Sequence, residues 1–234
     1  MKNYVFKSGP EDRVFKKGLI LEKEGKYKEA LILYEEEKNR QEKDADASSS
    51  LLKAYARALF MSRSDPKTCI ILEDLSAHDP AGCMERLLAT CYLKTAQFEK
   101  SEKAHKALLK KFPKESASHL NAIGESLKGQ GDDVGARGYF ELALSKSPDN
   151  KNIKGNLAQV LIRAGQEKKA LPMLKELATQ SGADTQEQYR LAEGYILSGD
   201  KARATTTLSR FMSEEDARLA IEKIEQNALK KRTA

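Results

Sequence analysis

The chain lacks tryptophan altogether, and its aromatic residues amount to only 6%. Six prolines are scattered through 234 residues, and stretches in which Val, Ile or Thr alternate with polar residues are few. These scarcities exclude the short strands and clustered turns of a sandwich or barrel. No run approaches the roughly 18 uninterrupted apolar residues that a membrane span needs. Met1, Lys2 and Asn3 lead into mixed polar sequence without an apolar signal core, so the chain as written reads as cytoplasmic.

Reactive groups are equally sparse. The three cysteines, Cys69, Cys83 and Cys91, show no CxxC or zinc spacing. Cys83 and Cys91 lie eight residues apart on one expected helix, about 12 Å, which is too far for a disulfide. The three are read as small buried apolar residues. His78, His105 and His119 are far apart, and none belongs to an HExxH pattern; His105 is expected to pack inward. No GxSxG or GK[ST] motif is present. The stretch "GQGDDVG" (129–135) is not a phosphate loop: its glycines are spaced GxGxxxG, no strand precedes it, and Asp132 and Asp133 would repel phosphate. No catalytic residues, metal site or cofactor are expected.

What is abundant is helix-forming sequence. Apolar residues make up 40% and charged residues 32% of the chain, and 41 basic side chains against 35 acidic ones leave +6. A surplus so mild and so evenly spread makes nucleic acid an unlikely partner. The helical segments also repeat. "EGKYKEALILY", "TAQFEKSEKAH", "QGDDVGARGYF", "AGQEKKALPML" and "SGDKARATTTL" align on Gly25, Ala96, Gly131, Gly165 and Gly199. Five residues on come the small residues Ala30, Ser101, Ala136, Ala170 and Ala204. The last three units recur at a spacing of 34, and Pro80, Pro113 and Pro148 fall at unit ends.

This pattern resembles the tetratricopeptide repeat over nearly the whole chain. The resemblance implies an all-α solenoid, a right-handed superhelix of about six helical hairpins plus a C-terminal capping helix. The units fall at 11–44, 49–81, 82–115, 117–150, 151–184 and 185–218, after a tail at 1–10. The second is the most divergent, its turn glycine replaced by a Ser–Asp–Pro entry at 64–66. Gly18, Ala56, Ala89, Gly124, Ala158 and Ala192 are expected where paired helices approach closely. Leu21, Leu59, Tyr92, Leu127, Leu161 and Tyr195 are expected to fill the gap to the next unit. Pro172, inside the second helix of unit five, predicts a slight kink rather than a break. The charged, then small and polar stretch 35–50 predicts a lengthened first hairpin and a loose connection. At 213–231, overlapping unit six, Ser213 and Asp216 predict a capped amphipathic helix with a stripe of Ala217, Ala220, Ile221, Ile224 and Ala228. Lys230, Lys231 and Arg232 suit its C-terminus, before a tail at 232–234.

Proteins of this family usually hold a peptide or helix of another protein in a concave groove lined by the first helix of each unit. Carried onto this sequence, the groove positions are Lys53, Arg57, Arg86 and Thr90, then Asn121, Glu125, Asn152, Asn156, Gln159 and Arg163, then Tyr189, Arg190 and Glu193. Amides offer both donor and acceptor to an extended backbone, and arginines pair with carboxylates. Chaperone-tail receptors of the family carry a Lys/Asn/Arg clamp at positions that here are Phe15, Leu19, Ala54, Cys83 and Leu87, so that specialised function is disfavoured. The last third, "NLAQVLIRAGQEKKALPMLKEL" with "FMSEEDARLAIEKIEQNAL", is also similar to the tight-adherence (Flp) pilus assembly lipoproteins of the TadD family. That resemblance implies a protein-binding scaffold in bacterial pilus or secretion-system assembly, and a periplasmic, outer-membrane-associated location if a lipoprotein signal has been removed. The alternatives are an RNA-associated repeat protein, suggested by a pI of 9.0 and the basic tail, and a self-associating structural subunit that forms homo-oligomers.

Overall fold

The computed structural model describes residues 10–41, 49–76, 83–179 and 185–232, apart from the side chains at 10–12, 41, 49, 83 and 227–232. Outside the described residues lie most of the N-terminal tail, the polar stretch 42–48, His78, Pro80 and the last two residues. The side chains of Cys83, Ala228, Lys230, Lys231 and Arg232 lie outside them too. Among the described residues there are helices and no strand, as the composition requires.

The chain divides into two compact units, Met1–Lys111 and Phe112–Ala234. The first holds α1 (Pro10–Lys23), α2 (Tyr27–Gln41), α3 (Ser49–Ser62), α4 (Pro66–Ser76), α5 (Cys83–Lys94) and α6 (Phe98–Lys111). The second opens with a single 3₁₀ turn, Pro113–Glu115. It continues through α7 (Ser116–Gly129), α8 (Asp133–Lys146), α9 (Lys151–Arg163), α10 (Glu167–Thr179), α11 (Thr185–Leu197), α12 (Lys201–Leu208) and α13 (Glu214–Arg232).

Five hairpins turn in one way. A residue of positive φ follows the first helix: Gly25 (75°), Ala96 (57°), Gly131 (87°), Gly165 (69°) and Gly199 (87°). The next amide donates back to the carbonyl of a large residue five positions earlier. Lys26 bonds Leu21 at 2.8 Å, Gln97 bonds Tyr92 at 2.8 Å, and Asp132 bonds Leu127 at 2.9 Å. Gln166 to Leu161 and Asp200 to Tyr195 complete the set, each at 2.8 Å. This is the Schellman closure of a helix end, which satisfies carbonyls the helix leaves open. Ala96 adopts the same conformation despite its Cβ, at a cost of roughly 1–2 kcal/mol.

The hairpin of α3 and α4 uses different chemistry, in keeping with its Ser–Asp–Pro sequence. Asp65 accepts from the Thr68 amide at 2.7 Å, and the Thr68 hydroxyl donates to the Arg63 carbonyl at 3.2 Å. The Thr68 amide holds the Asp65 carboxyl below its usual range. Pro66 then starts α4 where no backbone donor is needed.

Close approach of paired helices rests on size contrast. A Cβ on Gly18 would stand 2.3 Å from the Tyr34 ring, and one on Gly124 would stand 2.6 Å from the Phe140 ring. Tyr34 and Phe140 are fully buried, as are Ala56, Ala89, Ala158 and Ala192 at the equivalent positions. In the first unit a continuous core includes Tyr34, Leu59, Leu72 and Met84.

Two sequence expectations change. Cys69 of α4 and Cys91 of α5 are buried, but as a disulfide with a Cα–Cα distance of 5.7 Å, not as separate apolar residues. Two packed helices bring together cysteines 22 residues apart, a pairing no local spacing displays. The stretch from Glu35 is not all loose connection, since α2 runs to Gln41. Glu37 is buried there and pairs with Arg40 one turn on. Helix α10 continues unbroken from Glu167 to Thr179 through Pro172 at its sixth position, as the sequence leads one to expect. At the end of the chain, Ser213 accepts from the Asp216 amide at 3.1 Å and donates to its carboxylate at 2.6 Å. Helix α13 then packs on α11 and α12 through the buried Ala217 and Ile224.

Two alanine substitutions of opposite sign test the size-contrast argument. Gly124→Ala should lose about 1–3 kcal/mol, because its Cβ must displace a buried ring. Gly138→Ala, inside α8 with no atom within 4 Å of its added Cβ, should gain about 0.5–1 kcal/mol. Urea unfolding of both reads the difference.

Candidate partner-binding faces

The first helices of successive hairpins are neighbours within each unit: α1, α3 and α5 in one, α7, α9 and α11 in the other. Every candidate groove residue lies on one of these six helices. The two faces differ in how their polar groups are used.

In the first unit, Arg57 of α3 donates through Nε and Nη2 to the carboxylate of Glu22 on α1. Tyr34 donates to the same carboxylate at 2.9 Å. Burial, then the Glu22 carboxylate, pushes the Tyr34 hydroxyl well above its usual pKa. The bond to Glu22 raises the Arg57 pKa further above its ordinary value, against the opposing effect of burial. Arg57 therefore serves first as an interhelical tie. The Thr90 hydroxyl donates to the Arg86 carbonyl one turn before it at 2.9 Å. Lys53 and Arg86 are half-buried on α3 and α5.

Sequence reasoning did not identify the apolar part of this face. A cavity of about 390 Å³ opens among Leu19, Glu22, Lys23, Tyr27, Arg57, Phe60, Met61 and Leu87. Its signal was the large apolar residues Leu19 and Leu87 at groove-facing positions, which entered only as departures from the chaperone clamp.

In the second unit three of the groove residues, Asn121, Glu125 and Asn156, are bonded to one another. Asn156 Nδ2 donates to Asn121 Oδ1 at 3.1 Å and to Glu125 Oε1 at 2.7 Å, and Asn121 Nδ2 donates to Glu125 at 2.9 Å. Asn156 is only 8% exposed. Lys128, one turn beyond Glu125, donates to Gln159 at 3.0 Å. Burial lowers its pKa, Glu125 opposes that shift, and Arg190 and Arg163 add to it. Arg163 pairs with Asp133 at 3.1 Å, joining α9 to the start of α8. Asn152, at the exposed start of α9, stands apart from this cluster.

On α11, Tyr189, Arg190 and Glu193 are half-buried. Burial raises the Tyr189 pKa, with Glu193 adding to it. A Cβ on Gly155 would lie 2.6 Å from Arg190 Nη1, so the tip of this side chain rests against the α9 backbone at Gly155. Among the described residues Arg190 has neither a hydrogen-bond acceptor nor an ion-pair partner. Thus Arg190 presents a positive charge near two other cations on the same face. Among the described residues no group of three His, Cys, Asp or Glu could hold a metal ion, and no helix is long and apolar enough to cross a membrane.

Comparison with known proteins agrees with this architecture. Residues 127–186 match the tetratricopeptide repeat model. No curated protein is significantly similar in sequence. Among solved structures, pilF of Pseudomonas aeruginosa is similar at TM-score 0.68 and 15% identity, covering 92% of this chain and 96% of that one. A tetratricopeptide repeat protein from Parabacteroides merdae is similar at TM-score 0.65 and 15% identity, over 91% and 83% of the two chains. MamA of Desulfovibrio magneticus reaches 0.61 at 16% identity, over 72% and 93%.

The internal bonding of Asn156 has a measurable consequence. Asn156→Ala should lose about 1–3 kcal/mol, because it takes the α9 amide away from two acceptors on α7, Asn121 Oδ1 and Glu125 Oε1. In a double-mutant cycle with Asn121→Ala, a coupling of about 0.5–3 kcal/mol is expected in denaturant unfolding.

Proposed function

The chain is a tetratricopeptide-repeat protein, and from that premise we propose that it is a non-catalytic scaffold that docks a segment of a partner protein on the α7, α9 and α11 face. The observation that carries this reading is Arg190. Lys128 and Arg163 have acceptors within the protein, whereas the Arg190 guanidinium is seated over Gly155 without one. A partner carboxylate or backbone carbonyl would complete it. The Asn121, Glu125 and Asn156 network holds α7 and α9 in register beside it, and Gln159, Tyr189 and Glu193 supply further polar contacts. Partner selectivity would then come from groups fixed before binding, which lowers the ordering cost of association.

The setting we propose is bacterial pilus or secretion-system assembly, in the periplasm. The sequence resemblance of the last third to the TadD family supports the assembly role, and the likeness of fold to pilF is compatible with it. The Cys69–Cys91 disulfide supports the compartment, because such bonds persist in oxidising environments such as the periplasm and are rare in cytosolic proteins.

Two measurements test these proposals. Arg190→Glu should abolish cross-linked capture of partners from the native host, with the melting temperature nearly unchanged, while Arg137→Glu on α8 should not affect capture. Equal capture by both variants would refute the docking reading. Protein alkylated at lysis and unfolded without reductant should show one reactive thiol of its three cysteines. Three reactive thiols would refute the oxidising compartment.

A further inference from the structure

Two cavities open side by side in the first unit. One, of about 390 Å³, is walled by Leu19, Phe60, Met61 and Leu87, and the other, of about 310 Å³, is reached past Tyr27 and Met61, which line both. Met61 is 47% exposed, a large apolar side chain held at the surface where the two cavities meet. Each volume lies near the lower end of the range for ligand sites, suited to one or two side chains rather than to a large cofactor.

The charge around this trough is uneven. Its lining includes the cations Lys23, Lys26, Lys28 and Arg57 against the carboxylates Glu22 and Glu29. Glu22 is already neutralised by Arg57 and hydrogen-bonded by Tyr34, and Lys26 is paired with Glu24, which leaves Glu29 as the one lining carboxylate to set against the remaining lysines. Lys23 and Lys28 are exposed and have no acidic partner among the described residues. Lys94 of α5 adds another exposed cation, its ammonium 4.5 Å from the centroid of the Phe60 ring that walls the cavity. That lysine is held by an aromatic face rather than a carboxylate, which leaves its charge uncompensated. An apolar recess rimmed by uncompensated lysines complements a large apolar side chain flanked by carboxylates.

We propose that the trough between α1 and α3 is a docking site for an acidic segment of a partner protein, which inserts one or two large apolar side chains beside Met61 and pairs its carboxylates with Lys23, Lys28 and Lys94. The proposal rests on the reading of the chain as a docking scaffold, but on residues that the α9 face does not use. Burial of the apolar side chain supplies the affinity, and the lysines exclude basic segments.

The probe is a short fluorescein-labelled peptide of Asp, Glu and Ser with a central Phe–Leu pair, titrated with the full chain in fluorescence anisotropy. Replacing the Phe–Leu pair with Ser should weaken binding about ten- to hundredfold, the effect of losing a large buried apolar side chain. A probe with Lys in place of Asp and Glu should not bind. Met61→Asp, at a half-exposed position, should abolish binding without changing the circular dichroism. Lys23→Glu combined with Lys94→Glu should weaken it at least tenfold and flatten the salt dependence of what remains. The proposal is overturned if acidic and basic probes bind alike, if Met61→Asp binds as well as the parent, or if the acidic probe does not bind. Concentration-dependent self-association that Met61→Asp removes, without probe binding, would assign the trough to a second copy of the chain instead. Arg190→Glu should leave probe binding intact, so failure here with Arg190-dependent capture preserved counts against the trough alone.

Discussion

The Schellman turn between paired helices is the constraint from which most of the architecture follows. A residue of positive φ reverses the chain, and the amide after it returns to the carbonyl of Leu21, Tyr92, Leu127, Leu161 or Tyr195. The same large residue therefore closes its own helix end with its carbonyl and fills space with its side chain. Because the turn fixes where the second helix begins, it also fixes which small residue faces which ring. Gly18 meets Tyr34, and Gly124 meets Phe140. A longer or differently shaped turn would set those rings against a Cβ, and the helices could not approach as closely. Local backbone geometry and core packing are one requirement here, not two.

That coupling explains why so much of the fold is legible in the sequence. Glycine at 25, 131, 165 and 199 and small residues at fixed distances are short-range features, and short-range features survive in a single sequence. Even Ala96, which breaks the glycine rule, betrays itself through the residues around it. What stayed hidden depends on which helices touch. The Cys69–Cys91 bond joins α4 to α5 across a hairpin boundary, and only packing brings the two sulfurs together. The last turns of α2 were obscured by their charge: "EEEKNRQ" reads as a polar connection, yet Glu, Lys, Arg and Gln are good helix formers, and Glu37 with Arg40 spans one helical turn.

The candidate faces were legible in position and illegible in use. Placing Arg57, Asn121, Asn156 and Arg163 on first helices needed only the repeat register. Knowing that Arg57 ties Glu22, that Arg163 ties Asp133, and that Asn156 bridges Asn121 and Glu125 needed the neighbouring helix. A list of groove-facing polar residues therefore overstates what a partner can reach, because a side chain bonded to the next hairpin has part of its capacity already engaged. Arg190 stands out for the opposite reason. Its tip rests against Gly155 of the neighbouring hairpin, while its donors have no acceptor among the described residues.

The two units consequently suggest a division of labour between kinds of surface. The α7, α9 and α11 face is polar and largely pre-bonded, and burial lowers the pKa of its Lys128, with Glu125 opposing and Arg190 and Arg163 adding to the shift. A face of that kind can select a partner by hydrogen-bond geometry, but it gains little from excluding water, since its groups must exchange one set of bonds for another. The trough beside Met61 has the reverse character: it offers apolar area, whose removal from water is favourable whatever its orientation, and long-range attraction from lysines that no internal carboxylate cancels. Affinity without much directional selectivity is what such a surface provides, and selectivity without much affinity is what the amide face provides. If both faces dock a partner as proposed, the polar face would contribute selectivity and the trough affinity, and the trough draws on the second helix of its hairpin, through Tyr27 and Lys28, as well as on the first helices.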